Sequence, residues 1–439
     1  ERREEAQKQL KQALDKMRVD FPDAEIGEPG EIVGPPTFDP NRRLQEISQG
    51  IEQLEGEHFD GQQMREALLG ADMRKLLSSA QQAFFEFYRQ GAHLQTPAPV
   101  KAPDNGQREQ FVAAIRSGQS FDKQDWTGTD LSGMDLSNAD LSGIFLESAN
   151  LADCNLSNAR FEEAVLANAD LSGAVLDGTR FNSANLGRCR LNEARAVNAD
   201  FADAVFAETD FSGASLEGCR FGRIRLSELK LEDVVLRRCD FGGALLLDRD
   251  LKDVELSESR LDDAKLIRSS IDGGNLERAS LNGATLVGCR MSNCNLAGAK
   301  LENFRVVMES SFTRCDFTDA SLPGSNLGGS RFEECRFDRA DLSGGQFRGI
   351  IAKGASFARC NAARTSFVSA DLRDTSWVAA NLMESSLERA DLRRGDFRAA
   401  NLFGADLARV HVVVETNFEG ALTRRMRTWP RKFDSRGGT

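Results

Sequence analysis

Histidine and tyrosine are scarce in this 439-residue chain: His58, His93 and His411 lie far apart, and Tyr88 is the single tyrosine. No H-E-x-x-H, G-x-S-x-G, phosphate loop or dinucleotide fingerprint occurs either, so catalysis is not expected and no cofactor or metal is implied. No stretch of eighteen apolar residues is present, which argues against a membrane-spanning helix. A formal net charge of −12 argues against nonspecific binding to nucleic acid, which needs a basic surface. The chain opens Glu1-Arg2-Arg3-Glu4-Glu5, with no apolar segment behind it and no methionine in front. No secretory signal is therefore expected, and a preceding segment is.

What the chain has instead is a phrase of five residues. Ala139-Asp140-Leu141-Ser142-Gly143 is echoed by Ala149-Asn150-Leu151, Ala169-Asp170-Leu171, Ala370-Asp371-Leu372 and Ala405-Asp406-Leu407. A Leu or Phe forms the centre, a small residue stands two before it, and Asp, Asn or Arg stands immediately before it. The register runs from Trp126 to Val306, resumes from Phe312 to Val412, and reappears at Phe418. A period of five fits neither the helical 3.6 nor the strand period of 2, but it fits a chain that turns a corner every five residues. Phenylalanines also recur every twenty residues, at Phe161, Phe181, Phe201, Phe221 and Phe241, and again at Phe317, Phe337 and Phe357, continued by Trp377 and Phe397. Four corners therefore close one square coil, and at about 4.8 Å per coil some fifteen coils make a rod of roughly 70 Å.

This A-(D/N)-L-x-x phrase resembles the pentapeptide-repeat family over residues 121–423. The resemblance implies a right-handed quadrilateral β-helix, mainly β, with a small α-helical region ahead of it. All nine cysteines, from Cys154 to Cys360, occupy the small slot two before a centre. Without CxxC or His spacing they read as buried apolar thiols, and unpaired thiols suit a reducing, cytoplasmic setting.

Two segments, Phe304–Phe312 and Val410–Phe418, each carry one extra residue, near 307–311 and 413–417. An extra residue in a stacked coil must bulge outward or shift every later corner; a tolerated bend is the favoured reading over a marked surface feature. Phe145 stands where Asp or Asn is usual. Arg160, Arg180 and Arg220 replace the acid on one face, beside the Phe column, and are candidates for a partner-binding stripe.

Residues 1–95 read as a helical arm with a Pro/Gly-rich linker, 96–120 as a linker and capping helix, and 424–439 as a basic tail. Glu1–Arg18 looks helical and Phe21–Pro40 extended. Leu44, Ile47, Ile51 and Leu54 follow helical spacing, as do Met64, Leu68, Leu69, Met73, Leu76 and Leu77. The second helix ends in the aromatic run Phe84, Phe85, Phe87 and Tyr88, a candidate surface for packing on the rod or on a partner. Gln107–Arg116, with Phe111, Ala114 and Ile115 on one face and Gly118 after it, reads as the cap that an open solenoid end needs.

Carboxylates strung along a convex rod do not converge as a catalytic pocket requires. The expectation is a non-catalytic scaffold for other proteins. The segment Phe21–Gly30 resembles the region that joins upstream domains to pentapeptide repeats in adaptors of bacterial type VI secretion, which implies a secretion spike or an effector as partner. A translocated effector is an alternative. So is a DNA-mimicking inhibitor or protector of a type II topoisomerase, a role that some family members fill. Residues 121–423 carry 47 acids and 35 bases, whereas a 70 Å length of duplex carries about 40 negative charges. That comparison counts against the mimic.

Overall fold

The computed structural model describes residues 39–54, 69–94 and 106–429, together with Pro35 and Arg65. The expectations for Glu1–Arg18, for most of Phe21–Pro40 and for the linker 95–103 lie outside the described residues. Helix α1 spans Pro40–Leu54, α2 spans Ala71–Gly91 with a 3₁₀ turn at Ala92–Leu94, and α3 spans Gln107–Ser117. Everything described beyond α3 is a parallel, four-sided β-helix with twenty residues per coil.

Most five-residue units make one β-turn, while others, such as Arg195–Val197, run as short strands and Leu226–Glu228 forms a 3₁₀ turn. The centre accepts a hydrogen bond from the N–H three residues on, as Leu141 does from Ile144. The residue two after the centre takes positive φ, near 69° at Gly143 and 60° at Asn138. This is the type II geometry, and it explains why Pro323-Gly324 fits the register: proline presets the first corner residue and Gly324, at φ 66°, the second. Non-glycine residues hold this left-handed conformation at many corners, because the coils above and below fix the backbone on both sides.

Neighbouring coils pair from Asp125↔Phe145 to Asp406↔Arg427, at twenty residues except across the two inserted residues, with longer ladders such as Lys265–Ile267, Thr285–Val287 and Arg305–Val307 in the middle. About fifteen coils result. The last bridge lies inside the segment that the sequence set apart as a basic tail, so the ladder continues four residues past the expected boundary at 423.

Two inward side chains per unit build one continuous core. The Phe column stacks with ring centroids 5.2 Å apart at Phe181–Phe201 and planes within 2°, and the second column runs Phe337–Phe357 at 5.0 Å into Trp377 at 4.1 Å. The small slot takes Ala, Ser, Thr or Cys interchangeably. Its hydroxyl or thiol donates to a carbonyl of the preceding coil, as Thr179 does to Leu156 at 2.8 Å and Cys189 to Leu166 at 2.7 Å. All nine cysteines are buried and unpaired. Burial pushes the thiols of Cys189 and Cys360 well above their ordinary pKa, so they behave as packing groups.

Both extra residues are absorbed by outward bulges. Pairing steps from twenty to twenty-one at Met291↔Phe312 and at Asp396↔Asn417, and the columns then resume. In the first bulge Met308 and Glu309 both adopt positive φ and Met308 is 76 % exposed; in the second Val414 is 95 % exposed.

Helix α3 closes the first coil. Phe111 packs against Phe121 and edge-on against Trp126, Arg108 donates to the carbonyl of Ser132 at 2.9 Å, and Gly118 ends the helix in the left-handed conformation. The open edge of the sheet is thereby covered at this end.

Candidate protein-binding faces

The aromatic end of α2 lies against the outward side of the solenoid. Phe145, the residue that breaks the Asp/Asn pattern, is buried beneath it: Phe85 stacks on it at 5.7 Å and Tyr88 meets it edge-on at 5.7 Å. Val165 and Ala167, on the next coil, complete the patch. The packing face of the aromatic run is therefore Phe85 and Tyr88 on the rod itself, while Phe84 and Phe87 are half-buried on the same helix.

Polar contacts flank this patch. The Tyr88 hydroxyl donates to Glu147, Arg89 pairs with Glu163, and the Arg89 carbonyl accepts from the Asn185 amide. Asn185 also lies 3.3 Å from Nδ1 of His93. Gly187 makes this approach feasible, since a Cβ there would sit 2.3 Å from that of His93. Lys123 stands over the Phe85 ring at 5.0 Å, within cation–π range.

Two titratable groups, one on each side, are buried where α2 and its 3₁₀ turn meet the solenoid. Burial, reinforced by the charge of Asp125, pushes the Glu147 carboxyl up to about 7 against the opposing Tyr88 bond. Burial and the Arg188 charge lower His93 to about 4, opposed by Asn185 and Glu208. Sequence reading passed over Glu147, His93, Asn185 and Gly187. The signal that could have found the face is a column of outward apolar residues at twenty-residue spacing: Phe145, Val165 and, past Asn185, Val205.

Seven buried side-chain polar atoms lack a hydrogen-bond partner among the described residues, and five cluster here: Arg89 Nε, Thr127 Oγ1, Glu147 Oε1, Ser148 Oγ and Asn168 Nδ2. Thr127 occupies the lattice position one coil below Glu147, and Asn168 the position one coil above Ser148. Each such atom costs roughly 1–3 kcal/mol, while each large apolar side chain buried contributes roughly 1.5–3 kcal/mol. The unpaired atoms therefore offset part of what the apolar contacts under α2 contribute.

Arg160, Arg180 and Arg220 do share one column, which reads Asp140, Arg160, Arg180, Asp200, Arg220, Asp240, Arg260. Arg160 pairs with Asp140 at 3.2 Å and Glu162 at 3.3 Å, Arg180 approaches Glu162 at 3.9 Å, and Arg220 pairs with Asp200. The column is thus a ladder of mixed sign whose arginines remain about half exposed. Charge instead separates along the rod. Residues 121–330 carry 34 acids and 22 bases, and residues 331–429 carry 13 acids and 16 bases.

Among the described residues no helix is long and apolar enough to cross a membrane, and no group of three or more His, Cys, Asp or Glu is placed to hold a metal ion.

The model for pentapeptide repeats matches residues 120–223, 275–303 and 310–349, and that for a pentapeptide repeat region matches 330–407. Together they cover more than half of the chain. No curated protein matches it. Among solved structures it is similar to HetL, a pentapeptide repeat protein involved in heterocyst differentiation regulation from the cyanobacterium Nostoc sp. strain PCC 7120, at 23 % identity over 56 % of this chain and 93 % of that one, with a TM-score of 0.31. It is also similar to QnrB1, a plasmid-mediated fluoroquinolone resistance protein, at 19 % identity over 56 % and 88 %, with a TM-score of 0.18. A third is a pentapeptide repeat protein from the Arabidopsis thaliana thylakoid lumen, at 26 % identity over 28 % and 68 %, with a TM-score of 0.17.

Proposed function

This chain belongs to the pentapeptide-repeat family, and from that premise we propose that it is a non-catalytic scaffold that binds other proteins along its outward faces. One observation carries the reading: a rigid lattice of outward side chains already holds a helix, α2, on an apolar patch that the fold itself does not need. The outward positions project from a convex surface, so they present a long contact face rather than converging on a substrate.

Within this reading the chain is an adaptor that brings an effector to a bacterial type VI secretion spike. Support comes from the resemblance of Phe21–Gly30 to the joining region of such adaptors, and from the pairing of a helical arm with a long rod. Nine unpaired thiols fit a reducing compartment, before any export. The separation of charge along the rod counts against a DNA mimic, because a duplex is uniformly negative.

Affinity capture from the native lysate tests the proposal, with the full chain compared with one lacking residues 1–95. Recovery of a spike or effector that depends on the arm supports the adaptor. Recovery of a topoisomerase subunit with both chains would replace it with the mimic, and recovery of host proteins alone would replace it with a translocated effector.

A further inference from the structure

The α2 footprint is complete as a binding site but expensive as a permanent contact. It offers an aromatic and aliphatic patch, Phe145 with Val165, edged by the carboxylates of Glu147 and Glu163. What occupies it is a helix that presents Phe85, Tyr88 and Arg89, an aromatic at i, an aromatic at i+3 and a base at i+4, which share one helical face. Around this contact lie five of the seven unpaired buried polar atoms of the described residues, Arg89 Nε on the helix and four on the coils. Departure of α2 would return Glu147, which the Tyr88 hydroxyl covers, to water, whereas the solenoid's own pairing at Phe145 and Val165 runs through the backbone and does not involve α2.

We infer that α2 is a releasable strap, and that the face it covers is a docking site for an amphipathic helix of a partner protein carrying the same aromatic–x–x–aromatic–base pattern. The inference rests on the protein-binding reading above and adds the site and its ligand chemistry. Charge complementarity selects the partner: on this side of the first coils, Asp122, Asp125 and Glu163 outnumber Lys123, so the incoming helix brings a base beside its aromatic pair. Because the strap and the ligand compete for one patch, binding requires the strap to leave, and free protein is held closed.

The test uses the full chain and a fluorescent peptide of the sequence Ala71–Leu94. Phe85→Ala combined with Tyr88→Ala in the protein weakens its own strap, and this chain is expected to bind the peptide at least tenfold more tightly than the unmodified one. Adding Phe145→Asn restores the residue type usual at that slot, so the solenoid melts normally while peptide binding is lost. Hydrogen exchange in the unmodified chain is expected to be faster in α2 than in the ladders around Phe161–Phe241. Equal affinity for all three chains, no binding to the weakened-strap chain, or α2 protection equal to that of the ladders would each overturn the inference. Dimerisation that rises with concentration and is lost in Phe145→Asn would assign the site to a second copy's arm and overturn the partner. None of these outcomes bears on whether the rod's other faces capture proteins, so the docking site can fail while the scaffold reading survives.

Discussion

The coils beneath α2 and the coils from Arg331 to Leu407 are built on the same inward pair, yet they treat their outward groups in opposite ways. In the later coils no buried polar side-chain atom lacks a partner: Asn381 donates to Asn361 and Asn401 to Asn381, each at 3.0 Å, while Arg373, Arg393 and Arg398 grip the aspartates two residues before them. Under α2, apolar residues take the outward slots and polar atoms are left unpaired. The later coils show that the solenoid saturates its own hydrogen bonds. The covered face is therefore an interface added to a finished structure, not something the structure requires.

The sharpest way to break this comparison is through the core, which should not distinguish the two regions. Phe201→Asp and Trp377→Asp each bury an unpaired charge within a stacked column and should each cost more than about 4 kcal/mol, enough to abolish cooperative unfolding. A soluble variant with an unchanged melt at either site would mean that the columns are not equivalent. Outward substitution should divide the regions. Phe145→Asn should leave the melt of the solenoid within about 1 kcal/mol of the original while raising hydrogen exchange throughout α2. Phe337→Asn, on an inward column, sets the scale of a core loss against which this is read and should cost about 3–5 kcal/mol.

This division also decides what could be read in the sequence. The five-residue period, the twenty-residue columns and the cap at Gln107–Ser117 are local or periodic signals, and each repetition reports the same inward geometry. Phe145 stood out only as a misfit, because its partners Phe85 and Tyr88 lie across a linker in a segment without repeats, and no periodicity links them. Glu147 looked like any solvent-facing acid; burial by a distant helix gives it its character. Arg160, Arg180 and Arg220 do share one face, but the aspartates in the same column, at 140, 200 and 240, make the face a ladder of both signs.

The two titratable groups sharpen the comparison next, since no buried carboxyl or imidazole lies in the later coils. Glu147 is raised from 4.5 to about 7 with α2 docked, so docking favours its neutral form; docking is fully supported below pH 4.5 and weakens as pH rises towards 7. His93 is lowered from 6.5 to about 4, so docking is fully supported above pH 6.5 and weakens as pH falls towards 4. Each displacement corresponds to at most about 3 kcal/mol. The opposing slopes nearly cancel between these limits, and the exchange rate of α2 in the unmodified chain should vary little there. Glu147→Gln should leave only the acid-side loss, and His93→Gln only the loss on the alkaline side. Parallel pH profiles for both variants would show that neither group senses docking.

The smallest effect is expected from the arginine ladder. Reversal to Glu at Arg160, Arg180 and Arg220 sets new carboxylates beside Asp140, Glu162 and Asp200. These side chains are about half exposed, and surface pairs contribute little, so the melt should fall by roughly 2–4 °C per pair at most. The shift should fade near 1 M salt, where the screening length is about 3 Å. Arg373→Glu, in the later coils, supplies a control with the same kind of exposed Asp–Arg pair but no neighbouring strap. If both sets lower the melt slightly and leave partner capture alone, the ladder only balances charge between coils, as its counterpart does. If the triple reversal alone abolishes capture at an unchanged melt, the outward faces near α2 form one extended binding surface, and the difference between the two regions is functional along the whole column rather than under the helix alone.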